Sequence, residues 1–260
     1  MSIHGLSTQN QGRIRPSIVQ RANLVAVFTV CLCSMVLPAC RSWAADKPNI
    51  VIFLADDLGY ADIGVNGCKD VPTPNIDSIA NNGVRFTDGY ATHCVCSPSR
   101  AGLMSGMYQH RFGFERNSGP ERFADPNFGQ PREVPTLADK LKGAGYATGM
   151  IGKWHIGFKE GLRPHERGFD YHYGFLSGAH TYLAGRQDND PIVRNGHPVR
   201  TTKYLTDEFA DEAVGFVERS KDKPFFLYFA FNAVHSPMMR MPIKTDSQSS
   251  QANERFSQAC

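Results

Sequence analysis

Apolar and polar positions fall along this chain in blocks. From Ile50 to Leu54 every position is apolar and β-prone, and the run stops abruptly before Asp56-Asp57. A continuous apolar run of that kind predicts a strand buried on both faces of a mostly parallel sheet. "TPNIDSIANNGVRF" then predicts a helix, with Pro74 near its start, Ile76 and Ile79 inward and Gly83 closing it. "VPTLADKLKGAGYATGMIGKWHIG" reads as helix, glycine stop, strand and loop in turn. Leu137 and Leu141 face inward there, Gly143 or Gly145 caps, and the strand covers 146–151. Leu205, Phe209, Ala213 and Phe216 share one face over 205–219, the stripe of an amphipathic helix. "PFFLYFAFNAVHSP" is a second fully apolar strand ending in polar residues. The stretches 117–131 and 159 to about 199 are rich in turn-forming residues and read as loop. There is no internal repeat.

Strands alternating with helices imply an α/β sandwich around a mostly parallel sheet. Chemistry in such sheets gathers beyond the carboxyl ends of the strands. Three polar groups sit at those places: Asp56-Asp57, Lys153 with His155, and His235.

The 260 residues suffice for one large domain, and the first 44 do not fit it. Arg13, Arg15 and Arg21 lead into an apolar run, Leu24 to Leu37, followed by small residues. That is a secretory signal layout with cleavage after Ala44, and the run is short for a membrane span. "LPAC" also resembles a lipobox that would place a lipid on Cys40, although Pro38 suits one poorly. An uncleaved anchor is the third alternative. The leader's four arginines account for the apparent basicity. Of 28 basic residues, 24 remain outside it against 25 acidic ones, so bulk charge does not point to nucleic acid. Cys68, Cys94, Cys96 and Cys260 remain outside the leader, too few for a disulfide scaffold. The expected boundaries are a leader at 1–44, a catalytic portion at 46–243 and a polar, disorder-prone tail at 244–260.

Adjacent carboxylates at a strand end repel one another unless a hard cation or a facing Arg or Lys compensates them. Asp56-Asp57 therefore reads either as a metal site or as a solvated turn. "HCVCSPSRAGLMSG" is too compressed for a zinc site and lacks the C-x-x-C spacing of redox thiols. Pro98 suits the first turn of a helix, which puts Cys96 at a helix N-terminus, a natural place for an anion. Arg100 lies one turn on, on the same face. A buried structural cysteine beside a helix start is the competing reading.

"CSPSRAGLMSG" closely resembles the signature of the type I, formylglycine-dependent sulfatases. "GKWHIG" is similar to their second signature, "PNIVIFLADDLGYADIG" to their opening strand and metal aspartates, and "FAFNAVHSP" to a later histidine segment. The nearest flavour is arylsulfatase and N-acetylgalactosamine-6-sulfatase, and the likeness runs from about Pro48 to Pro242. The resemblance implies an alkaline-phosphatase-like fold and hydrolysis of an aryl or carbohydrate sulfate monoester. It implies that a formylglycine-generating enzyme converts Cys96, with Cys94 a bystander, and that the aldehyde hydrate attacks sulfur. It also implies Ca²⁺, less readily Mg²⁺, on Asp56, Asp57 and position 96. Arg100 then balances charge, Lys153 binds sulfate, His155 takes a proton and His235 serves the leaving oxygen. Ser177 is a further candidate for the sulfate pocket. His110, His165, His172, His180 and His197 read as loop histidines at the surface, and Gly168 to Asp170 as structural.

Family members continue into an Asp-Asn or Asp-His pair and a distal lysine that have no counterpart after His235, where Asp246 is the one aspartate. The expectation is thus a fold incomplete at its C-terminus and a weak metal half-site. Two alternatives follow: a non-catalytic remnant, or a phosphonate or phosphate monoester hydrolase of the same superfamily. The expected partners are a sulfated small molecule or polysaccharide and the formylglycine-generating enzyme. Membrane contact is expected only through the leader or a lipid. The expected location is periplasmic or extracellular.

Overall fold

A computed structural model describes residues 47–119, 125, 128–183 and 190–236. The leader (1–44) and the polar tail (244–260) lie outside the described residues. Among the described residues six strands form one sheet: β1 (Ile50–Leu54), β2 (Ala147–Lys153), β3 (Tyr171–Phe175), β4 (Val193–Arg194), β5 (His197–Pro198) and β6 (Phe225–Ala230). Their spatial order is β1-β6-β2-β3-β4-β5. The first four in that order pair in parallel, and the last two add an antiparallel hairpin to β3.

The fully apolar β6 shows why its pattern carries no alternation. Phe226, Tyr228 and Ala230 enter one core with Met150, while Phe225, Leu227 and Phe229 enter the other with Ala147 and Ile151. Helix α4 (Leu205–Ser220) covers the second face through Leu205, Phe209, Ala213, Phe216 and Val217. Each large side chain so buried contributes roughly 1.5–3 kcal/mol of gross hydrophobic stabilisation. Helices α2 (Cys96–Ser105) and α3 (Leu137–Gly143) cover the first face through Ala101, Met104 and Ala138. Thr136 caps α3 reciprocally with Asp139, and its hydroxyl also lies 2.9 Å from the Arg167 carbonyl.

Several expectations are corrected. β1 is only part-buried because β6 is its one sheet neighbour among the described residues, and Phe53 remains 46% exposed. Helix α1 (Pro74–Asn81) forms as expected, but Ile76 and Ile79 face outward. Hydrogen bonds tie its first turn to the preceding loop, where Asp77 accepts from the Val65 N–H and Thr73 from the Gly64 N–H. The second loop region contains β3 and the β4–β5 hairpin. Gly174 and His172 interrupt the apolar pattern of β3, yet His172 is fully buried in that strand, so it is not a surface loop histidine. His180 is likewise buried. Gly168 and Asp170 are structural, with Asp170 bonded to Thr148 and paired with Lys142.

Because β1, β6, β2 and β3 run parallel with Leu54, Ala230 and Gly152 in register, their carboxyl ends open on one edge. Gly152 is required there. Its φ is +105°, and a Cβ would lie 1.8 Å from the Ala230 carbonyl oxygen.

Candidate active site

Asp56 leaves the end of β1 and is buried to 4% exposure. Lys153, the last residue of β2, reaches across the intervening β6 and donates from Nζ to Asp56 Oδ2 at 2.6 Å. Arg100 on α2 donates to Asp56 Oδ1 at 3.1 Å and to the Lys153 carbonyl at 2.8 Å. One buried carboxylate thus binds helix α2, strand β1 and strand β2 together. Both cations expected to serve an oxyanion are on Asp56 in this arrangement.

Asp57 is exposed and holds a left-handed φ of +58°. The loops after β1 and β6 pair main chain to main chain, with the Asp56 N–H on the Ala233 carbonyl and the Val234 N–H on the Asp56 carbonyl. That pairing sets His235 Nε2 3.6 Å from Asp57 Oδ2. The Tyr182 hydroxyl, within 2.8 Å of the Asn232 carbonyl and 2.6 Å of the His235 carbonyl, steadies the turn.

Cys96 is the first residue of α2, as the position of Pro98 implied. One ligand atom each from Asp56, Asp57 and Cys96 lies within 4.8 Å of the others. Residues 40 positions apart therefore share one point, set between a helix N-terminus and a strand end.

His155 follows β2, also with a left-handed φ, +61°. Two of the three non-glycine residues with positive φ among the described residues are therefore at this edge, where strain is commonly stored. Burial, and then the charge of Lys153, push the His155 imidazole down to about 3, so the ring is neutral. Ser177 follows β3. Its hydroxyl bonds the Ala179 carbonyl at 2.9 Å and the Asp190 carboxylate, while Gly178 packs against the His155 ring. Burial holds Asp190 above the usual carboxylate range.

A sequence model of the family described as Sulfatase matches residues 48–260. The chain belongs to the sulfatase family. It is 35% identical to N-acetylgalactosamine-6-sulfatase of Sus scrofa over 215 residues, 75% of this chain and 41% of that protein. It is 35% identical to arylsulfatase G of Rattus norvegicus over 238 residues, 79% of this chain and 44% of that protein. Less than half the length of these curated relatives is therefore spanned. The solved structure of Ps i-CgsB superposes with a TM-score of 0.73 at 36% identity, covering 82% of this chain and 55% of its own. Ps i-CgsB has also been solved in complex with k-i-k-neocarrahexaose.

In this member of the sulfatase family the donor set fits a hard cation in kind, since two carboxylates converge on position 96. A thiol there is a soft ligand, whereas an oxygen-bearing group at the same atom would suit calcium. These three groups supply part of the six to eight oxygens a calcium ion usually takes. Residues unforeseen in the sequence complete the surroundings: Ser97, Asn117, Ser118 and Asn232. Ser97 and Asn232 lie within recognised segments without having been singled out, and Asn117 and Ser118 lie in a region that read as loop.

Proposed function

We propose that the protein cleaves sulfate monoesters of carbohydrates by way of a formylglycine made from Cys96, with calcium on Asp56, Asp57 and position 96. The observation that carries this reading is the convergence of those three groups at the sheet edge, ringed by Lys153, Arg100, His155 and His235. When Cys96 has been converted, its hydrated aldehyde supplies an oxygen nucleophile for sulfur that the thiol could not. Calcium, when bound, polarises the sulfate oxygens.

The chain's own residues do the rest. Arg100 and Lys153 concentrate positive charge beside position 96, where an incoming sulfate adds negative charge. His155, neutral because it is buried, takes a proton within the site. His235, part-exposed beside Asp57, is placed to give a proton to the departing alcohol oxygen. The substrate class follows the relatives: N-acetylgalactosamine-6-sulfatases are named for a sulfated sugar, and BT4656, 32% identical, was solved with its substrate D-glucosamine-2-N,6-O-disulfate. The leader pattern supports export, with an exported formylglycine-generating enzyme as the maturation partner.

The test is co-expression with a formylglycine-generating enzyme, mass analysis of the peptide containing residue 96, and release of inorganic sulfate with calcium present. N-acetylgalactosamine 6-sulfate and carrageenan oligosaccharides are the substrates to try first. Conversion at residue 96 with sulfate release, abolished in Cys96→Ala, supports the reading. An unconverted Cys96 overturns it. Faster turnover of a phosphate monoester would move it to phosphoryl chemistry, and tight calcium binding without turnover would make the chain a binder of sulfated ligands.

A further inference from the structure

We infer that Ser97 and Ser118 are positioning residues that hold His155 as its Nε2–H tautomer, so that Nδ1 carries the ring's basic lone pair. This rests on the proposed role of His155 as proton acceptor. The Ser118 carbonyl oxygen lies 3.0 Å from His155 Nε2. A carbonyl only accepts, so Nε2 must carry the hydrogen. A neutral imidazole then has one lone pair, on Nδ1, which is buried and has no hydrogen-bond partner among the described residues. The charges of Lys153, Arg100 and Asp56 all act on this ring, which places it beside the carboxylate cluster.

The carbonyl that selects the tautomer is itself held. The Ser118 N–H donates to Ser97 Oγ at 3.1 Å, and Ser97 Oγ donates to the His155 carbonyl at 2.5 Å. Ser118 Oγ lies 3.2 Å from that same carbonyl, and the Ser97 N–H donates to Asn117 Oδ1 at 3.0 Å. A closed circuit therefore runs from the residue after Cys96, through Ser118, to both the ring and the backbone of His155. Ser97 and Ser118 are 0% and 4% exposed, so water does not compete for these bonds. Two hydroxyls on the His155 carbonyl also stabilise the left-handed backbone that aims the ring. In the opposite tautomer the Nε2 lone pair would face the Ser118 oxygen, leaving a buried carbonyl without its donor.

The test reads the ring directly and needs no turnover. Histidine-labelled protein with Cys96 unconverted is studied by long-range proton–nitrogen NMR. The expected spectrum has a pyridine-like Nδ1 and a slowly exchanging Nε2–H for His155. In Ser97→Ala/Ser118→Ala the Nε2–H should exchange with solvent roughly tenfold to a hundredfold faster, the worth of about one buried hydrogen bond. Ser97→Thr, which keeps the hydroxyl, should retain the slow exchange in an otherwise wild-type background. If the double variant does not fold, Ser118→Ala alone keeps the Ser97 bond to the His155 carbonyl and should show an intermediate rate. A protonated Nδ1 in the wild type overturns the inference. So does an unchanged Nε2–H in a folded double variant. In converted protein, the serine variants should lower kcat with little change in KM. Retained turnover in His155→Ala would instead sink the proposed role of His155 while leaving the ring measurement standing.

Discussion

Replacing Asp56 with asparagine keeps the shape of the side chain and removes the charge that two buried cations face. Lys153 Nζ at 2.6 Å and Arg100 at 3.1 Å are 0% and 4% exposed, so neither can turn to water without moving the strand or helix that bears it. At an effective dielectric of about 20, each contact is worth roughly 5–6 kcal/mol of gross Coulomb energy at these distances. Arg100 keeps the Lys153 carbonyl as a partner, which softens the loss. Breaking a buried pair by removing one member typically costs about 3–5 kcal/mol, and that is the expected loss here. Urea unfolding in the presence of a chelator, so that calcium plays no part, measures it. With a slope of about 2 kcal/mol per molar urea, the midpoint should fall by about 2 M. Adding Lys153→Met should return more than half of the loss, because the stranded cation is then gone. A midpoint within about 0.5 M of wild type would refute the reasoning. So would strict additivity in the double variant, which would mean that the contacts are not coupled through charge.

Folding holds His155 and His172 at about 3, below the ordinary 6.5, so the unfolded chain binds protons the folded chain refuses. Their contribution is fully present above pH 6.5 and is lost as pH falls towards 3, at about 1.4 kcal/mol per pH unit for each ring. His172→Leu, at a site where neither ring nitrogen has a partner among the described residues, should roughly halve the slope of stability against pH over that window. An unchanged slope would show that His172 is not the group titrating. Gly152→Ala should abolish soluble folded protein, because a Cβ there meets the Ala230 carbonyl at 1.8 Å; normal expression with an unshifted urea midpoint would contradict the register between β2 and β6. Asp57→Ala should weaken calcium binding in a titration at least tenfold while moving the urea midpoint little, since Asp57 is exposed. Equal affinity would remove Asp57 from the metal site.

Read alone, the sequence determined the elements whose patterns are local. The apolar run of β6 and the stripe of α4 each follow from side chains a few residues apart. It also marked Asp56, Lys153, His155 and His235 as sharing one end of a parallel sheet, because a strand's carboxyl end is legible from where its apolar run stops. Tertiary structure alone decided what these groups touch. That Lys153 crosses β6 to reach Asp56 depends on strand order, which no local pattern encodes. That Ile76 and Ile79 face outward depends on what packs against α1, and periodicity reports a face without its partner. The strand at β3 stayed hidden because a buried histidine and a glycine break the apolar run, and only burial on both faces shows that they belong to it. The serine circuit beneath His155 was out of reach for the same reason: Ser97, Ser118 and His155 are brought together by contacts spanning up to 58 residues, and a serine in a loop carries no pattern of its own.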